Sequence, residues 1–357
     1  IAIRNPSYVT IKGNTLYGAN LGAKGITLDD PIGQKFPSNS FNVIEHNRVH
    51  GWYWYGIRFL GLSDTQQIEY PGRISYNDVY NNGDGIYHFR TKGVITEYNT
   101  VHHNNDTSTI LGEGYGMAST RSANGIWRGN TVFSNRTKGL EPWYDDLTPP
   151  SDYTYILNNV FYDNGTGNEP FHCAIHVSNS GQNFNFPNTF ILGNLVRESK
   201  CGISVYRGVS GVIANNTVVN PEKETGIFLG TGSSNLLVVN NVLSTGGVAG
   251  IWASNNGVGG NIVISHNLFS NGMFGIAVRI ANTNYSIDAL PSLSGVSYVR
   301  DVLFVNPAGF DYRLRGPRGV RPTGYPYTDP RCIACYVAYP DLGAFPYVPQ
   351  DELVGSQ

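Results

Sequence analysis

The chain has 357 residues, of which 14% are charged, with a formal net charge of −2. So sparse and balanced a charge argues against nucleic acid or an anionic membrane as the main partner. No apolar run is long enough to span a bilayer as a helix, and no window sustains the 3.6-residue apolar period of an amphipathic helix.

The chain opens on Ile1, already inside strand-like sequence, which implies a leader or an N-terminal cap upstream. From there one short phrase recurs along most of the length, an asparagine followed two residues later by an apolar side chain. It falls at Asn14, Asn47, Asn77, Asn99, Asn130, Asn159, Asn194, Asn216, Asn241 and Asn267. Each interval holds an answering phrase: Gly25-Ile26, Gly56-Ile57, Gly85-Ile86, Gly116-Met117, Gly139-Leu140, Ala174-Ile175, Gly202-Ile203, Gly226-Ile227, Gly250-Ile251 and Gly275-Ile276. The asparagines are 22 to 35 residues apart, and all the slack lies in the connections. A fixed pair of strand signals with elastic loops is the mark of a solenoid.

Each repeat predicts three short strands, exemplified by Gly202-Val205, then Val212-Asn215, then Thr217-Val219. Stacked in register about 4.8 Å apart, ten rungs make a rod on the order of 48 Å long. One core row then runs Ile26, Ile57, Ile86, Met117, Leu140, Ile175, Ile203, Ile227, Ile251, Ile276. Asparagine suits the bend between the second and third strands because it tolerates left-handed backbone angles. Its amide can also bond the same amide one rung away.

On these phrases the chain resembles a right-handed parallel β-helix of the pectate-lyase-like superfamily, an all-β solenoid of about ten rungs. The resemblance covers residues 1–290, leaving 291–357 as a C-terminal capping segment. Within that segment, Phe310-Asp311-Tyr312-Arg313-Leu314 followed by Pro340-Asp341-Leu342-Gly343-Ala344-Phe345 is similar to the closing segment of secreted β-helix proteins. The Ser-Pro-Ala-Ile-Asp phrase usual between the two is absent. The resemblance implies a secreted or cell-surface protein acting on polysaccharides by elimination, hydrolysis or epimerisation. The ordered motifs of polygalacturonases are not found.

Cys173 and Cys201 precede the first strand at the same phase in adjacent rungs, a separation that suits a disulfide in a secreted protein. Cys332 and Cys335 form a lone CxxC without a second half for zinc, so a local disulfide is expected. Asn-x-Ser/Thr triplets at Asn105, Asn135, Asn164, Asn215 and Asn284 are expected by chance in so asparagine-rich a chain.

Chemistry on such a rod belongs where long loops flank an outward-facing ladder. The long connections fall at 30–40, 60–71, 145–153 and 179–189 after the first strand, and at 104–115 and 163–172 before it. They frame the first sheet in the middle of the rod. Alternation gives its outward row as Thr27, Arg58, Tyr87, Ala118, Glu141, His176, Ser204, Phe228, Trp252, Ala277. Two residues on come Asp29, Leu60, Phe89, Thr120, Trp143, Ser178 and Tyr206, with Arg90, Arg121, Tyr144 and Arg207 beside them.

An acid, an imidazole, guanidiniums and aromatic rings on neighbouring rungs suit a sugar, whose faces stack on rings while its hydroxyls and carboxylates take directed hydrogen bonds. Four arginines favour an anionic, uronate-containing glycan and a lyase. The candidate catalytic residues are Glu141, His176, Asp145, Tyr144, Arg121 and Arg207; Arg58, Tyr87, Arg90, Trp143, Tyr206 and Trp252 are expected to bind substrate. Glu141 with Asp145 or Asp146 is the hydrolase alternative. Asp145 and Asp146 could instead hold calcium, or the acids could simply pair with Lys138, Arg121 or Arg207 on a solvated loop. A glycan-binding or structural rod without catalysis is the third alternative.

His88 and Ser119 fall on the inward row, so His88 is expected to be a hydrogen-bonded core histidine. The third-strand row Tyr17, His50, Tyr80, His102, Phe133, Tyr162 is expected to be a stabilising aromatic stack. His102 and His103, adjacent on a strand, should face opposite sides and make a poor metal pair. Asp29, Asp30 and Asp84 are acids with no evident partner.

Overall fold

A computed structural model describes residues 1–4, 8–19, 24–29, 41–60, 72–105, 114–144, 153–167, 172–179, 188–219, 225–244, 248–254, 262–269, 276–280, 283–286, 303–306, 311–316 and 348–349. Every rung is three short strands, and each strand pairs in parallel with its counterpart one rung on. The first sheet has twelve strands, beginning Ala2–Arg4, Lys24–Asp29, Tyr55–Leu60 and Asp84–Phe89 and ending with the antiparallel pair Val278–Ile280 and Thr283–Tyr285. The second and third sheets have ten strands each, from Thr10–Lys12 to Val263–Ser265 and from Thr15–Tyr17 to Leu268–Phe269. Strands Leu303–Asn306, Asp311–Gly316 and Val348–Pro349 form a separate small sheet. Cys332 and Cys335 lie outside the described residues.

Like residues stack because parallel pairing in register leaves them no other neighbour. Ile57, Ile86 and Met117 are successive partners and all fully buried. The row departs from expectation at its end, where Ile251 pairs with Val278 and Trp252 with Arg279. The tenth strand thus starts two residues later than Gly275-Ile276 implied, with the Arg279 guanidinium 4.6 Å above the Trp252 ring. The glycine of each phrase is required by close approach. At Gly85 a Cβ would meet the Gly116 carbonyl at 2.4 Å and Asn104 Nδ2 at 2.8 Å.

The asparagine ladder is unbroken from Asn14 to Asn267. Each Oδ1 accepts both the backbone N–H and the Nδ2–H of the asparagine before it, as Asn99 Oδ1 does from Asn77 at 3.0 Å each. The left-handed residue is not the ladder asparagine but the one before it. Gly13, His46, Tyr76, Tyr98, Gly129, Asn158, Gly193, Asn215, Asn240 and His266 all have φ between 53° and 71°. That residue turns the chain between the second and third sheets, and the asparagine that follows sends its amide inward to satisfy the backbone of the bend.

A second ladder runs five residues further on, through Asn82, Asn104, Asn135 and Asn164, closing on Ser199 Oγ. Asn135 and Asn164 are therefore buried in the rod and closed to glycosylation. The third-sheet aromatics stack as expected. Tyr17, His50, Tyr80, His102, Phe133 and Tyr162 lie 4.5 to 5.0 Å apart, and Arg197 caps the column 4.2 Å from Tyr162. Cys173 and Cys201 are strand partners with Cα atoms 4.4 Å apart and form the disulfide expected of them.

Candidate functional site

A groove of about 460 Å³ lies on the first sheet between the strands beginning at Tyr55 and Cys173. Its floor is built by alternation. Tyr87 pairs with Ala118 and Ala118 with Glu141, while Thr120 pairs with Trp143 and Trp143 with Ser178. The small side chains at 118 and 120 leave space between the rings of Tyr87 and Trp143. Tyr87 stacks on Tyr55 at 5.0 Å and donates its hydroxyl proton to Thr120 Oγ1 at 3.0 Å.

Glu141 is the chemical centre of this groove. It is only 6% exposed, and its Oε1 accepts from Lys138 Nζ at 2.8 Å and Ser178 Oγ at 2.9 Å. No described residue contacts Oε2 within hydrogen-bond or ion-pair distance. The pairing with Lys138 is the one the plain reading of the loop allowed, but the pair is buried rather than solvated. The ammonium also lies 5.3 Å from the Tyr115 ring, and removing either partner of this pair would leave the other charge buried and uncompensated.

His176 Nε2 lies 3.7 Å from Glu141 Oε1, too far for a hydrogen bond. Burial pushes its pKa down to about 4 against the opposing pull of Glu141, with the charge of Lys138 adding to the lowering. The imidazole is therefore neutral at pH 7, and its buried Nδ1 has no hydrogen-bond partner among the described residues. His172 is also held down at about 4, by burial first and then by Lys200, Lys138 and Arg136.

The remaining expected residues divide. Trp143 and Tyr87 line the groove with Glu141. Arg90 and Arg121 do not line it; they lie 4.9 and 5.9 Å from the Phe89 ring, each in a left-handed turn with φ 54° that ends its strand, Arg121 directly after groove-lining Thr120. Arg58 flanks it one strand before Tyr87, 5.4 Å from the Tyr55 ring. Arg207, at φ 60°, rests over Tyr206 at 5.2 Å, beyond the groove. Trp252 is four strands past Trp143, about 19 Å at the parallel-strand spacing, edge-on to Phe228.

Tyr144 is a correction. The strand Leu140–Tyr144 continues one residue past outward-facing Trp143, so alternation turns Tyr144 inward. It is fully buried in the main core with its hydroxyl bonded to Thr154 Oγ1, and takes no part in the groove. Asp145 and Asp146 lie outside the described residues. His88 is the core histidine expected, 4.5 Å from Trp127 and bonded to Thr96 Oγ1, with burial holding its pKa at about 3.

Tyr55, Asp84, Tyr115 and Lys138 also line the groove, although alternation from the Gly-Ile phrase did not reach them. Asp84 is buried, and its Oδ1 accepts the backbone N–H groups of Gly114 and Tyr115 at 3.0 Å each. A sequence signal for all four exists. Each immediately precedes the glycine of its phrase, the same phase that carries Cys173 and Cys201 in later rungs.

Two family profiles match the chain. Residues 66–149 match the right handed beta helix region, and residues 154–288 match the periplasmic copper-binding protein NosD. Curated proteins yield no match. Similar solved structures include XylC in complex with xylose, at 11% identity and TM-score 0.45, over 72% of this chain and 52% of that one. The Dettilon tailspike protein follows at 16% identity and TM-score 0.39, over 78% and 55%. The A-module of a mannuronan C-5 epimerase from Azotobacter vinelandii matches at 13% identity and TM-score 0.39, over 84% and 90%. The chain thus spans about half the length of the first two.

In the stretch that matches NosD, Cys173 and Cys201 are joined in the disulfide, and among the described residues no three His, Cys, Asp or Glu side chains converge. No helix among them is long and apolar enough to cross a membrane. What the profile match at 66–149 names is what the stacked sheets display, and the chain is a right-handed parallel β-helix protein.

Proposed function

We propose that the groove binds a polysaccharide along the first sheet and cleaves an acidic, uronate-containing glycan by β-elimination. The observation that carries this reading is the convergence of aromatic walls with a buried, ion-paired carboxylate on a floor of small side chains. Tyr55, Tyr87 and Trp143 offer faces for sugar rings. Lys138, Arg90 and Arg121 supply the positive charge that a uronate carboxylate needs as it acquires enolate character. Glu141 Oε2 is the general base for the proton on the carbon beside that carboxylate; as the carbon–carbon double bond forms, the bond from the next carbon to the glycosidic oxygen breaks, and the departing oxygen takes a proton from water. Lys138 and Ser178, both on Oε1, orient the carboxylate so that Oε2 faces the groove.

A hydrolase needs a second carboxyl across the bond. Asp84 lines the groove with its Oδ1 accepting two backbone amides, and Asp145 and Asp146, the partners expected for Glu141 in a hydrolase, lie outside the described residues. The disulfide fits an oxidising compartment, whether periplasmic or extracellular.

The test is incubation with acidic and neutral polysaccharides, with calcium or a chelator, reading ultraviolet absorbance and reducing ends together. Absorbance accompanying cleavage, abolished in Glu141→Gln, supports the proposal; loss on chelation adds calcium. Reducing ends without absorbance would replace elimination by hydrolysis. Silence across the panel would leave a glycan-binding rod.

A further inference from the structure

Past Glu141 the first sheet stops offering a groove. Along its outward row the next side chains are His176, Ser204 and Phe228, paired strand to strand, and they are only 7%, 0% and 7% exposed. On the other side of Glu141, Tyr87 and Arg58 are partly exposed, and so are Trp143, Phe89 and Leu60 in the row beside them. Size does not explain the contrast, because histidine and phenylalanine stand as tall on a sheet as the side chains that stay accessible.

The rings further along are occupied with one another. Tyr206 lies against Gly230, where an added Cβ would come within 2.2 Å of it, and Arg207 rests over its ring at 5.2 Å. Phe228 is 6.4 Å from Tyr206 and, edge-on, 5.3 Å from Trp252, which has the Arg279 guanidinium 4.6 Å above it. Rings packed in this way make their contacts with one another and with arginines rather than with sugars. Tyr206 and Trp252, expected to bind substrate, belong instead to a packed barrier across the sheet.

The groove, at about 460 Å³, has the size of a small-molecule site rather than of a track for a polymer. Of its lining residues, Glu141 and Ser178 stand on the last two strands before the barrier. One parallel-strand spacing past Glu141, about 4.8 Å, the outward row is already buried. A sugar chain lying along the sheet therefore runs into the barrier just beyond the general base. A terminus fits there, whereas an internal stretch would have to leave the sheet. We propose, resting on the glycan reading of this groove, that it takes the end of a chain, so that the protein acts at the terminus of a uronate-containing glycan. The fragment on the barrier side of the broken bond is then short.

The test uses polygalacturonate and polymannuronate, each separated into short, medium and long chains. Calorimetry with Glu141→Gln, its folding checked by circular dichroism, counts protein molecules bound per sugar chain, and the parent protein supplies the product profile. We expect one protein bound per chain whatever its length. In the parent, short unsaturated products should appear from the first turnovers while the average length of the remaining polymer falls slowly. Sites per chain that rise with length, or a rapid early fall in average length, would overturn end recognition and leave elimination standing. One protein per chain without new ultraviolet absorbance in the parent would do the reverse. Neither binding nor cleavage with any fraction would overturn both.

Discussion

Replacing Asn99 by alanine tests whether the asparagine ladder holds the rod together or merely decorates it. Asn99 Oδ1 accepts Asn77 N–H and Nδ2–H at 3.0 Å each, while its Nδ2 donates to Ile74 O at 2.9 Å, Asn130 Oδ1 at 3.0 Å and Glu97 O at 3.1 Å. Asn77 Nδ2 keeps bonds to Ile44 O and Ser75 O after the change, but the buried Asn77 amide keeps none. An orphaned buried amide costs about 1–3 kcal/mol, and the lost bonding of the two Nδ2 protons about 1 kcal/mol for each proton. The total expected is roughly 3–5 kcal/mol. Asn14 at the first rung is partly exposed, so Asn14→Ala should cost under about 1 kcal/mol. Denaturant midpoints compare the two variants. Amide hydrogen exchange then locates the damage, since the Asn77 amide should exchange about 5- to 150-fold faster in Asn99→Ala. Equal costs for the two variants, or an unchanged rate at Asn77, would refute the ladder as a stabilising device.

Three further outcomes are expected. Unfolded histidines take up protons near pH 6.5, whereas folded His176 and His88 stay neutral down to about 4 and about 3. Protons therefore bind the unfolded chain first, and stability should be flat above pH 6.5 and fall from there toward pH 4, at about 1.4 kcal/mol per unit for each histidine. A pH slope unchanged in a His88→Gln, His176→Gln double variant would remove these residues as its cause. Cys201→Ser opens a link spanning 28 residues, which the chain-entropy estimate values at about 3–4 kcal/mol; a melting temperature unaffected by the change or by reductant would contradict it. Trp143→Ala should weaken binding of acidic oligosaccharides by calorimetry while leaving the melting temperature nearly unchanged, since the ring is partly exposed at the groove wall.

The sequence by itself determined the solenoid, its three strands per rung, the asparagine ladder, the third-sheet aromatic stack, the disulfide and the inward place of His88. These follow from periodicity, because parallel pairing in register turns equal phase along the chain into direct contact in space. Even the second ladder was there to be found, five residues after the first. Phase alone does not carry past a strand's end. Whether the residue after Trp143 continues the strand, as Tyr144 does, or leaves it in a left-handed turn, as Arg121 does at the equivalent place, decides between core and surface. The same kind of turn, with φ 53°, brought His103 round to within 2.7 Å of His102, Nδ1 to Nδ1, against simple alternation. Only the tertiary structure decided that Glu141 is buried with Lys138 and Ser178 on one oxygen, and that Asp84 caps two amides at the groove. Those contacts join residues up to 37 positions apart. They depend on side-chain reach across rungs, which the repeat leaves open.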